Sequence, residues 1–192
     1  MRAVRIVPPA VLPVLTAVAV RHCRMIPGDD DDTIEDLIER ATSHLDGPQG
    51  LLNRCLITQT WRVGLDRFAS SVRLPFCDVQ SVSVSYYDPA GDRRDVDPGA
   101  YELASGPRGR VIRFRGDWSA PIVDDFRSEP IEVDMICGFG DAPADVPGAI
   151  RQAILQIVGL WYDNRNAAGE TSLTEIPIGV SDLVARWRHL VI

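Results

Sequence analysis

The sequence contains no lysine: all 20 basic residues in its 192 positions are arginine. That absence excludes Schiff-base and lysine-nucleophile chemistry, and it excludes the phosphate-binding lysine of a Walker loop. The four cysteines, Cys23, Cys55, Cys77 and Cys137, never occur as C-x-x-C, which argues against a zinc knuckle or a thioredoxin-type centre. Reduced, mostly buried thiols are expected, with two disulfides as the alternative in an oxidising compartment. His22, His44 and His189 lie on separate segments without metal-ligand spacing. There is no G-x-S-x-G elbow, and Ser70, Ser71, Ser105 and Ser119 have no local activating partner. Gly138-Phe139-Gly140 lacks the third glycine and the βαβ context of a dinucleotide fingerprint. No carboxylate pair stands out as glycosidase-like; Asp124-Asp125 sits in a proline-bounded loop. The expectation is a protein that is not an enzyme and uses no metal or cofactor.

Long hydrophobic runs are also missing. The apolar stretch over residues 6–20 is too short to span a bilayer and is broken by Pro8, Pro9 and Pro13. It follows Arg2 and Arg5 and ends near Ala17-Val18-Ala19, the outline of a secretory signal. The prolines, with Arg21, His22 and Arg24 directly after, favour an extended arm and a helix over residues 14–25. Leu15, Val18, Ala19 and His22 would share one face of that helix.

What is present is ordinary globular material. Hydrophobic residues make up 45% of the chain and charged residues 24%, enough to bury a core without staples. The net charge of −7 is the wrong sign for a domain that grips nucleic acid through a basic stripe. Asp29–Asp32 is an acidic run ahead of a helix predicted over residues 33–45, with Asp32 and Glu35 at capping-box spacing. Ile34, Leu37, Ile38, Ala41 and Leu45 form its apolar stripe, and Gly47-Pro48 ends it.

From residue 56 to 137 the hydrophobic period falls from 3.6 to 2. Ile57, Gln59, Trp61, Val63 and Leu65 alternate with polar partners, and residues 79–87 alternate similarly. The turn Asp88-Pro89-Ala90-Gly91-Asp92 follows. Further strands are expected over residues 101–103, 110–114 and 131–136, giving a small antiparallel sandwich or barrel of five or six strands. Pro147 opens the strongest helix, carrying Ile150, Ala153, Ile154, Ile157, Val158 and Trp161 on one face to about residue 166. A last segment over residues 181–190 places Leu183, Val184, Trp187 and Leu190 on one side. Strands grouped in mid-sequence between helices indicate α+β. The expected organisation is a helical subdomain from residues 1–55 and 141–192, with an antiparallel β-domain inserted over 56–140.

The order of these motifs resembles the head–tail connector (adaptor) proteins of tailed bacteriophages and of phage-like gene transfer agents. The residues that carry the resemblance are Cys137-Gly138-Phe139-Gly140, Val146-Pro147, residues 149–155, and Tyr162-Asp163-Asn164-Arg165. Residues 56–61, Leu65-Asp66-Arg67-Phe68, Leu74-Pro75, Tyr87-Asp88 and Ile176-Pro177-Ile178-Gly179-Val180 fit the same pattern. The N-terminus departs from it, being apolar and lysine-free where the family opens with a more polar helix.

The resemblance implies a structural virion protein, made in the bacterial cytoplasm and placed in the particle neck. It implies a homo-oligomeric ring, typically of twelve copies, between the portal protein and a stopper or tail-side connector. DNA would pass through the lumen without sequence-specific binding, and no membrane is involved. The family's C-terminal segment docks on the portal, which points to Asn164, Arg165, Leu183, Val184, Trp187, Arg188 and Leu190 as the partner interface. Trp61, Trp118, Trp161 and Trp187 are candidate interface anchors, with core packing as the plain reading of each. The alternatives are a secreted β-rich binding module and an unrecognised hydrolase.

Overall fold

Eight strands and four helices build two units in the computed structural model, which describes residues 2–106, 109–164 and 178–189. Of the described residues, one unit comprises 2–9 and those from Thr58 to Gly138; the other comprises Ala10–Ile57, 139–164 and 178–189. The architecture is α+β, with one strand ahead of the first helix and the other seven between the second helix and the third.

The β unit contains β1 (Ala3–Val7), β2 (Gln59–Leu65), β3 (Ser71–Arg73), β4 (Val79–Tyr87), β5 (Arg93–Asp95), β6 (Tyr101–Gly106), β7 (Gly109–Phe114) and β8 (Ile131–Cys137). A five-stranded sheet runs β1-β2-β8-β4-β5 and a three-stranded sheet runs β3-β7-β6, with every pair antiparallel. The central strand β8 shows why the order works. Ile131, Val133, Met135 and Cys137 are buried on one face, and Glu132 and Asp134 lie on the other.

On that second face, Arg62 of β2 forms a two-pronged bond to Asp134 at 2.6 and 2.8 Å. Arg62 also reaches Glu132 at 3.0 Å, and Glu132 bridges on to Arg93 of β5. The hydrogen bond to Asp134 raises the Arg62 pKa above its already high ordinary value.

The alternation expected over residues 79–87 is interrupted. Val79 opposes Cys137 and Ser81 opposes Ile136, so Gln80 is an extra residue on β4. This bulge reverses the phase, and Val79 and Val84 are both buried although one position is odd and the other even. β1, β3 and β5 go beyond the five or six strands expected. β5 (Arg-Arg-Asp) is exposed throughout and has no hydrophobic period to read.

The helical unit packs α1 (Thr16–His22), α2 (Asp31–Leu45), α3 (Gly148–Asp163) and α4 (Ile178–Val184) around one core. The stripes of α2 and α3 meet as expected. Ile34, Ile38, Ala41 and Leu45 face Ile150, Ala153, Ile154 and Val158, all fully buried. Three expectations need correction. α1 is shorter than residues 14–25 and turns Ala19 and Val20 inward, leaving Leu15 59% exposed. α2 begins two residues early, at Asp31, so the expected capping box of Asp32 and Glu35 does not form. The Asp31 carboxylate accepts from the Gly28 amide instead. α3 ends at Asp163, with Asn164 as its cap, before the expected limit.

The crossings after Ile57 and after Gly138, which bracket the inserted strands, are neighbours. The Phe139 amide donates to the Leu56 carbonyl at 3.0 Å, and Ile57 bridges Gly140. Gly138 has φ of 139°, a conformation that disfavours any side chain. A Cβ on Gly140 would strike the Asp145 carboxylate, which accepts from the Ala142 amide. The Gly-Phe-Gly sequence is therefore a structural requirement of the crossing. Replacing Ile154, fully buried between α2 and α3, with alanine is expected to cost about 2–5 kcal/mol. Denaturant unfolding would measure it, with the partly exposed Leu160→Ala as the near-neutral control.

Candidate interaction surfaces

Val184, one of the residues expected to face a partner, points the other way. It is 1% exposed and joins Val180 in the core of the helical unit. Residues 180 and 184 share one face of α4, and that face is used internally. Leu183 and Trp187 are half-buried against the same core, and Arg188 is exposed. Asn164 is engaged in its own helix, where its side-chain amide donates to the Leu160 carbonyl at 2.7 Å. Arg165 and Leu190 lie outside the described residues. Of the expected interface, Leu183 and Trp187 are thus half-exposed and Arg188 exposed, while Val184 is taken into the core.

A loop that the sequence did not single out holds the C-terminal segment. The Arg54 guanidinium donates to the Trp187 carbonyl, the His189 amide donates to the Leu52 carbonyl at 2.8 Å, and the Asn53 side chain donates to the His189 carbonyl at 3.1 Å. The Trp187 ring meets Phe139 edge-on at 5.7 Å, and Arg54 also lies over the Phe139 ring. The loop is pre-shaped for this. Asn53 takes a left-handed conformation with φ of 50°, Gly47 donates to the Arg54 carbonyl, and the Asp46 carboxylate accepts from the Leu56 amide. A Cβ on Gly50 would overlap the Leu45 and Asp46 backbone. The Trp187 indole N–H is buried with no hydrogen-bond partner. The available signal was Leu51-Leu52-Asn53-Arg54, an apolar pair followed by a residue type that tolerates positive φ.

The Tyr162-Asp163-Asn164 sequence has a structural explanation. The Tyr162 hydroxyl donates to the Asp30 carboxylate at 3.0 Å, tying the end of α3 to the start of α2. Cys23 lies nearby in charge terms: burial first, and the Asp163 carboxylate second, push its thiol pKa up and keep it protonated. All four cysteines are free thiols. Among the described residues, no group of three side chains is placed to hold a metal ion, and no helix is long and apolar enough to cross a membrane.

In the β unit, Phe68, Tyr86, Phe114 and Trp118 form an aromatic cluster, with Phe114 stacked on Trp118 at 4.6 Å. Trp61 is buried against Phe76, and its indole N–H donates to Gln59. Trp161 packs against the helical core. Two large apolar residues on the loop over 121–130 remain in water: Ile122 is 77% exposed and Phe126 fully exposed.

No family model and no curated protein matches the chain. Solved structures do match. A chain in the neck of an empty gene transfer agent particle, computed with C6 symmetry, aligns over 100% of this chain and 97% of its own, with a TM-score of 0.79 and 20% identity. Its fold is the fold of that neck chain. A chain from the virion of a native gene transfer agent particle gives a TM-score of 0.78 at 22% identity, with the same coverage. A third, from a native neck computed with C12 symmetry, gives 0.70 at 21%. The likeness spans both units.

His189 provides a test of the C-terminal clasp. Burial, and then the nearby Arg54 charge, lower its pKa below the ordinary histidine value. The unfolded chain therefore binds a proton more readily than the folded one. The clasp is expected to be strongest above about pH 6.5 and to weaken as pH falls from there toward the lower folded value. Hydrogen-exchange protection of residues 185–189, corrected for intrinsic rates, should drop between pH 7.5 and 5.5, and His189→Gln should flatten that dependence. Tyr162→Phe should cost about 1 kcal/mol of unfolding free energy through its lost bond to Asp30.

Proposed function

We propose that this chain is a head–tail adaptor of a phage-like particle, a structural protein with no catalytic role. Copies of it form a ring, of twelve subunits, between the portal and the stopper or tail-side connector. The observation that carries this reading is the alignment of the whole chain with neck chains of gene transfer agent particles. The motif order over most of the sequence supports it independently.

The physical chemistry fits the role. A channel protein must let DNA slide rather than hold it. The chain carries a net charge of −7, and the outer face of α2 presents Asp32, Glu35, Asp36 and Glu39 to solvent. Acidic surface repels phosphate and releases no counterions on contact. The clasp of residues 185–189 presents Arg188 and the half-buried Trp187, α4 just before it carries the half-buried Leu183, and we assign the portal contact to these residues. Val184 supports it from beneath.

The test is co-assembly with the cognate portal protein, read by native mass. The full chain is expected to add a ring's worth of subunits to the portal. A chain ending after Val184 should keep its β unit and lose portal attachment by at least about tenfold in affinity. Attachment that survives the truncation would overturn the C-terminal assignment, and a full chain that never joins the portal would overturn the adaptor reading.

A further inference from the structure

The loop over residues 121–130 and the strand β1 both expose apolar side chains and carry opposite charge. Phe126 has no contact that covers it, and Ile122 is 77% exposed. The loop that carries them is nonetheless held in shape. The Asp124 amide donates to the Tyr87 carbonyl at 2.9 Å, the Phe126 amide donates to the Asp124 carboxylate at 3.0 Å, and the Arg127 guanidinium stacks on the Tyr87 ring at 3.4 Å. A rigid loop that displays a bare phenyl ring has already met the ordering cost of binding.

β1 is the other exposed apolar element of the unit. It is an edge strand paired only to β2, and Val4, Ile6 and Val7 are 52%, 44% and 51% exposed. Val7 opposes Thr60, which opposes Ile136, itself 39% exposed, so the apolar surface continues from the edge across the sheet. Natural proteins rarely leave an apolar edge strand open to water. The charges are complementary as well. Residues 2–9 carry Arg2 and Arg5 and no acid, whereas residues 121–130 carry Asp124, Asp125 and Glu129 against the single Arg127.

We infer that the 121–130 loop of one copy docks on the β1 edge of the next copy, and that this contact closes the ring. The inference rests on the ring reading above and names its interface. A donor and an acceptor at different places on one subunit make a head-to-tail contact, the kind that generates a closed ring when its rotation repeats. The loop is bonded to the end of β4 and runs on into β8, and its Glu129 side chain packs over Gly64 of β2, while its tip at Phe126 stays uncovered. The uncovered tip and the open edge let one subunit give and receive at once.

The experiment uses the full chain with its portal, examined by native mass and electron microscopy. Ile122→Ser with Phe126→Ser should leave thermal unfolding unchanged, because both side chains are exposed, and should raise the concentration needed for ring assembly about tenfold or more. Val4→Cys with Phe126→Cys, joined by a short thiol cross-linker in a Cys23→Ser, Cys77→Ser background, should give a ladder of trimers and larger species. Either single cysteine should not. Rings of wild-type chain alongside equally stable rings of the serine variant would overturn this inference and leave the ring reading intact. Serine-variant rings that fail only to bind a portal or tail protein would overturn it too, assigning the loop to that partner. A wild-type chain that forms no ring on the portal would overturn both. Cross-linking that stops at dimers would overturn the head-to-tail arrangement.

Discussion

The chain leaves and re-enters its helical unit through two strands that must run side by side, and the rest of the structure depends on that junction. An inserted domain is stable only when its entry and exit are neighbours, because separated ends would have to be bridged by exposed backbone. Here the Leu56 carbonyl receives the Phe139 amide, and Ile57 bridges Gly140. Two glycines make this possible for different reasons. Gly138 supplies a positive φ, and Gly140 leaves room for Asp145. Phe139, between them, then serves as the ring against which Trp187 rests and over which Arg54 lies. One turn therefore sets both the insertion of the β unit and the position of the C-terminal segment.

The helical unit spends most of its apolar surface on itself. α2 and α3 face each other, Val180 and Val184 of α4 close over them, and Tyr162 fixes the helix ends through Asp30. Two exposed segments are held in shape by polar bonds: residues 185–189 against the 52–54 loop, and the 121–130 loop on the β unit. Such preorganisation lowers the ordering cost of any contact these segments make.

Much of this architecture was legible in the sequence where local periodicity reports burial. The stripes of α2 and α3 and the alternation of β2 read directly onto the buried faces. The rest depended on long-range facts. Residues 3–7 read correctly as extended, but their pairing with β2, about sixty positions away, leaves no local signal. The bulge at Gln80 reverses an alternation that looks regular in the sequence. For the interface, the difficulty is one of principle. Val180, Leu183, Val184 and Trp187 are apolar at helical spacing, and an internal stripe looks the same as a docking stripe until something is seen to cover it. Phe126 was missed for the opposite reason. A lone aromatic between prolines has no period, and only its exposure marks it.

The central claim is that this chain is one subunit of a ring seated on a portal. Electron microscopy of the full chain mixed with its cognate portal, reconstructed without imposed symmetry, tests it most directly. The account predicts a closed ring of repeated copies stacked coaxially on the portal around an open channel, into which this fold fits as one subunit. Single chains beside a bare portal, with no added density on its axis, would contradict it.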